Sequence, residues 1–243
     1  SFNSLNRGLV AYYPFNGNSL DESGNGNHGT ASSMTYATDR LGLSNRTGSF
    51  DGNSSYVSVP KKVSESFTLS FWMRTSQPGA DGNGCFYSGT GLIDSEFGGA
   101  GRDFGVNLLG SRAAFGMAVY TDTPAIQSVS AVTDGQWQFV VATRNNATGA
   151  IQLFVNGVLE ASAGLETGAL DYESTIFFGK AHFQGSQPFF NGNLDDIRIY
   201  SRVLSSSEIA QLYLRDAGNL DQDGDGLTDA WERGFGRYQI IPG

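Results

Sequence analysis

Five carboxylates fall within a short stretch near the C-terminus: Asp221, Asp223, Asp225, Asp229 and Glu232, with Gly226 among them. Counted from Asp221 they stand at positions 1, 3, 5, 9 and 12, glycine takes position 6, and Leu227 offers its backbone carbonyl from position 7. Calcium takes about six to eight hard oxygen ligands, and this is the register in which one loop wraps such an ion. An acidic solvated linker is the competing reading, but a linker has no reason to keep glycine and five carboxylates in register. Thr228 replaces the usual apolar residue at position 8, and residues 217–220 separate the loop from the helix before it. The loop is therefore expected to bind calcium singly and not as half of a paired sensor.

A second kind of chemistry is recognition of a sugar, which needs aromatic faces beside amides and carboxylates on exposed loops. Two loops have that content. One holds Phe86 and Tyr87 with Asp81 and Asn83; the other holds His182, Phe183, Gln184, Gln187, Phe189 and Phe190. Taken one by one, these aromatics more often serve as core residues than as a sugar platform, and Trp72 and Trp137, inside expected strands, are assigned to the core. Catalytic devices are scarce by comparison. The only histidines are His28 and His182, neither with a recognisable nucleophile or acid partner, Cys85 is the sole cysteine, and no phosphate-cradling glycine loop is present. One cysteine also excludes an internal disulfide and a thiolate zinc site.

The elements that must position these residues are short. Glycine contributes 33 of 243 residues, aromatics 12% and charged residues only 16%, a composition that suits a β-sandwich with many turns. Strands are expected at 8–15, 56–59, 67–74, 104–109, 113–120, 136–144, 151–155, 175–179 and 195–200, each too short for an ordinary helix and rich in Val, Ile, Phe or Tyr. Residues 145–149 read as a hairpin loop, and Asn156-Gly157 as the turn of a further hairpin. Ser205 or Ser206 can cap one helix with Ile209, Leu212 and Tyr213 on one face, Glu208 in its first turn and Arg215 in its last, packed on the sandwich. Residues 76–101 read as a long glycine-rich connection, and 238–241 as the start of a strand toward a following domain. A net charge of −9 argues against nucleic acid, and no apolar run is long enough to cross a membrane.

Several blocks in sequence order then resemble a known family: GLVAYYPFNGNSLDESGNGNHGT (8–30), FDGNSSYVSVP (50–60), FTLSFWMRT (67–75), DGQWQFVVATRNNATGAIQLFVNGVLEAS (134–162) and FNGNLDDIRIYSRVLSSSEIAQLY (190–213). They are similar to the laminin-G-like domains of the concanavalin-A-like superfamily. The resemblance implies an all-β, antiparallel two-sheet jelly-roll sandwich over residues 1–215, with 216–243 a short calcium-binding segment similar to thrombospondin type 3 loops. It implies that chain ends meet, where family members often hold a structural calcium; Asp21 with Asp195 or Asp196, which open the last strand, are the candidate ligands. Turn chemistry would select the same residues, with Asp21 and Asn27 making Asx turns and Asp195 closing a strand.

Glycosidases of this shape align carboxylates along one strand. Here Asp94, Glu96 and Asp103 lie in a glycine-rich stretch without strand pattern, so no enzyme is expected. The expected function is a calcium-binding, lectin-like or adhesive recognition module, secreted or on a cell surface, monomeric within a larger protein. Its expected partner is a carbohydrate or an extracellular protein, with no nucleic acid and no membrane insertion. A structural spacer between domains is the alternative, and a polysaccharide hydrolase using residues 76–130 a further one.

Overall fold

A computed structural model describes residues 5–97, 101–120, 124–182 and 188–218. Fifteen strands are present: β1 (Leu9–Tyr13), β2 (Thr30–Ser32), β3 (Thr35–Ala37), β4 (Thr47–Asp51), β5 (Tyr56–Pro60), β6 (Phe67–Arg74), β7 (Thr90–Asp94), β8 (Asp103–Leu109), β9 (Arg112–Ala118), β10 (Ile126–Gln127), β11 (Gln138–Asn145), β12 (Ala150–Val155), β13 (Val158–Gly164), β14 (Thr175–Phe178) and β15 (Asn191–Tyr200). They form two antiparallel sheets. The first runs β13-β12-β11-β6-β15-β4-β3, with β1 added along β15, and the second runs β10-β9-β8-β7-β14-β5-β2. This is the jelly-roll sandwich expected from the sequence.

Period-two alternation builds the core. Phe67, Leu69, Phe71 and Met73 of β6 meet Phe104, Val106 and Leu108 of β8 between the sheets. The opposite face of β6 is buried as well, because the helix α1 (Ser206–Ala217) covers it: Trp72, Phe139, Val141 and Tyr200 enclose Ile209 and Leu212. A strand covered on both sides buries even its polar residues: Thr68 and Ser70, which alternate with the core residues of β6, are without exposure, and Thr68 donates its hydroxyl to the Arg202 carbonyl. Helix α1 starts at Ser205, whose hydroxyl accepts from the Glu208 amide while Glu208 reaches back to the Ser205 amide. This capping box satisfies donors that the first turn leaves open.

The expected connection over residues 76–101 is corrected by the fold, which places the inner strand β7 within it, between β8 and β14. Glycine here serves close packing instead of loop freedom. A Cβ on Gly91 would lie 2.3 Å from the amide nitrogen of Ala181 and from the carbonyl carbon of Lys180, so the 180–181 segment crosses β7 only because residue 91 has no side chain. Asp94 and Asp103, expected outside any strand, end β7 and begin β8.

Candidate functional site

Asp103, Gly105 and Asn107 of β8 alternate with core residues and so point to the outer face of the second sheet, where Asp94 lies opposite Gly105. Asp94 is fully buried there. Its Oδ1 accepts from the amides of Glu96 and His182, both at 2.9 Å, and Asp103 Oδ2 accepts from the amide of Phe97 at 2.9 Å. The two carboxylates therefore tie two loops onto one sheet face, the loop after β7 and the loop after β14. Burial pushes Asp94 up to about 6, with the amides of His182 and Glu96 pulling the other way. Burial likewise moves the ammonium of Lys61 down to about 8, opposed by Asp103, and moves His182 down.

What these loops carry is aromatic. Phe97 and Tyr172 pack with ring centroids 5.2 Å apart and remain 39% and 47% exposed. The His182 ring lies 4.8 Å from Phe177 and 6.0 Å from Phe97, and Lys180 sits over Phe177 at 4.2 Å and over Tyr56 at 4.5 Å. A continuous run of ring faces thus ends in a cation, an arrangement suited to a flat ligand bearing both apolar C–H faces and polar edges. Asp94 and Asp103 are less than 3% exposed and hold backbone amides, so they anchor this surface from below and do not line a cleft above it.

Of the residues singled out from sequence, His182 belongs to this surface. Phe86 does not: it is fully buried, its ring packed over Gly105 and Gly116 on the same sheet face, 2.9 Å from where a Cβ at Gly116 would stand. Tyr87 is half-buried against it, and Phe189 is half-buried beside Phe190, which packs on Phe50. Both expected aromatic loops reach the same sheet, but one closes it and the other furnishes it. Phe183 lies outside the described residues, as do Asp221, Asp223, Asp225, Leu227, Asp229 and Glu232. Phe97, Tyr172, Phe177, Lys180 and Tyr56 were missed. The available signal was an aromatic isolated in a polar loop, as in Glu96-Phe97-Gly98 and Asp171-Tyr172-Glu173.

Asp21 and Asp195 are each engaged by the protein's own donors. Asp21 accepts from the amides of Tyr12, Ser23 and Asn27, and these bonds hold its carboxyl below the usual range against the cost of burial. Asp195 pairs with Arg40 at 2.7 Å, and Arg40 also binds Asp196 at 2.5 Å. Asp196 contacts Arg198 and the hydroxyl of Tyr12, and Arg198 continues to Asp216 of α1 at 2.5 Å. Burial and the charge of Asp196 push Asp195 up. Burial alone would raise Asp196 too, but Arg198 and Arg40 outweigh it and hold that group low. Among the described residues no three His, Cys, Asp or Glu side chains are placed to share a metal ion.

No curated protein sequence matches the chain. Solved structures do. Domain 4 of AbnA, a GH43 extracellular arabinanase from Geobacillus stearothermophilus, in complex with arabinotriose, superposes with a TM-score of 0.65 at 21% identity, covering 84% of this chain and 98% of that one. The binding domain of Paraclostridial Mosquitocidal Protein 1 gives 0.68 at 20%, covering 86% and 52%. The binding domain of botulinum neurotoxin DC in complex with SialylT gives 0.63 at 18%, again covering 86% and 52%, so the chain spans about half of each toxin domain. At these identities the likeness shows the fold. The sequence itself carries the assignment further: the profile of the concanavalin A-like lectin/glucanases superfamily matches residues 51–210, well over half of the chain, and the chain belongs to that superfamily.

Proposed function

We propose that this chain is a non-catalytic carbohydrate-recognition module that binds sugar across Phe97, Tyr172, Phe177 and His182. The observation that carries the reading is the exposed, touching pair Phe97–Tyr172, held on a sheet face by buried carboxylates. An aromatic pair kept in water costs apolar exposure, and stacking a pyranose or furanose face on it removes that cost. The arabinanase domain named above was solved with arabinotriose, which makes arabinan oligosaccharides the first probes. Secretion or surface display is part of the same proposal. Glycan-array and calorimetric binding by the parent is expected to weaken about three- to tenfold in Tyr172→Ala and in Phe97→Ala. Binding that ignores both substitutions would remove the site, and no binding to any glycan would leave the spacer reading in its place.

We also propose one calcium ion in residues 221–232, a reading supported by the sequence register alone. Calorimetric counting of bound ions in the parent and in a variant with Asp221→Ala and Glu232→Ala is expected to differ by one. An equal count would reduce the loop to an acidic linker.

A further inference from the structure

At the far end of the first sheet, where β6 finishes and β15 begins, a pocket of about 220 Å³ is lined by Arg74, Thr75, Ser76, Gln77, Asn191 and Asn193 with Gly135 and Gly192. Two glycines let the backbone close around it. A Cβ on Gly192 would stand 2.4 Å from the Arg74 carbonyl oxygen, and Gly135 takes a φ of 79° while its amide donates to the Thr75 carbonyl. Thr75 Oγ1 donates to the Asn191 carbonyl at 2.6 Å, which fixes the floor. The lining contains no apolar side chain, so neither an acyl chain nor an apolar peptide side chain would find a partner in it.

Among the described residues, Arg74 is the one charged group lining this pocket. Its guanidinium lies over the ring of Trp137, 5.1 Å from the centroid, and one of its nitrogens donates to Asn193 Oδ1 at 3.1 Å. Ring and amide together hold the plane of the guanidinium, while among the described residues no carboxylate comes within salt-bridge distance of it. Arg40, Arg102, Arg198, Arg202 and Arg215 each have an acidic partner, whereas Arg46, Arg112 and Arg144, like Arg74, donate to amide or carbonyl oxygens. In a protein with a net charge of −9, a pre-oriented arginine facing a pocket free of acids is available for an anion from outside.

We propose that this pocket is a second binding site, specific for a saccharide carrying a carboxylate. Arg74 takes the carboxylate, and the hydroxyls and amides of Thr75, Ser76, Gln77 and Asn191 take the ring hydroxyls. The size of the pocket suits one sugar residue, so the site reads a uronic acid or similar acidic unit within a chain or at its end. It does not rest on the aromatic face of the second sheet.

The test uses the full chain with a galacturonic acid trimer, its methyl ester and neutral galactotriose, followed by NMR. The acid is expected to shift the Gly135 amide and the Trp137 indole N–H, and the ester to bind about tenfold more weakly, because it loses a charge-assisted hydrogen bond. Arg74→Gln is expected to abolish the preference for the acid, and Asn191→Ala, at an exposed side chain outside the fold's hydrogen bonds, to weaken acid and ester alike, since both carry the ring hydroxyls, with the remaining protein spectrum unchanged. Tyr172→Ala should leave the acid's affinity as it is, which separates this site from the aromatic one. Equal binding of acid and ester, shifts confined to residues around Tyr172, or no shift at Gly135 and Trp137 would each overturn the proposal.

Discussion

Asp94 sits where a carboxylate is hard to keep charged. Its Oδ2 lies 2.6 Å from the point a Cβ on Gly105 would occupy, beside the side chain of Asn107. Burial pushes the carboxyl from 3.8 to about 6, against the pull of the His182 and Glu96 amides and of the Asn107 side chain. The folded state thus holds the carboxyl proton more tightly than the unfolded chain does. Stability from this group consequently falls as pH rises between those two values; the penalty is absent below the lower, complete above the upper, and at most roughly 3 kcal/mol. Asp94→Asn retains the acceptor used by the amides of Glu96 and His182 and removes the charge. The variant is expected to gain stability over the parent at pH 7 and to lose that advantage at pH 4, as read from thermal unfolding. A difference that does not change with pH would assign the titration elsewhere.

Among the elements, β15 has an irregularity that organises everything around it. Its first half pairs with β4 and its second half with β1, and the register shifts between Asp195 and Arg198, where Asp196 takes a φ of 47°. Such a bulge re-aims side chains, and here it gathers Asp195 and Asp196 against one arginine. Arg40, from the loop between β3 and β4, binds both and also donates through Nε to the Asp216 carbonyl in the last turn of α1. One side chain therefore joins a strand bulge, a loop and the open end of a helix. Arg40→Ala is expected to cost about 3–5 kcal/mol, because two buried carboxylates lose their counter-charge. Denaturant unfolding checks this, and a change below 1 kcal/mol, the scale of an exposed pair, would show the network to be incidental. None of it was legible in the sequence. Arg40, Tyr12, Arg198 and Asp216 come from four separate segments, and no local pattern announces a pairing that only the register of β15 creates. The helix, by contrast, was legible to within a residue of its cap: the sequence offered Ser205 or Ser206, and the structure uses Ser205 with Glu208.

For the molecule as a whole, the strands that could be read were those with enough residues to show alternation or an unbroken apolar run, such as β6, β8, β11 and β12. Strands β2, β3 and β10 are two or three residues long and present no period at all, and β4 is masked by its Gly48. The order of the family-like blocks was enough for the sandwich, whereas the proposed binding face required knowing that β7 and β14 are neighbours. That adjacency has a consequence for how the protein comes into being. The strand lying between β6 and β4 at the centre of the first sheet is β15, the last strand among the described residues, and β1 pairs with it from Leu9 to Tyr200. A polypeptide emerging from a ribosome presents its beginning first, so β1, β4 and β6 leave the tunnel with open edges and no central partner. They can complete the first sheet only when residues 191–200 have followed. The first sheet therefore closes only after residue 200 has been made, and until then the edges of β4 and β6 that β15 will cover stay open to unwanted pairing.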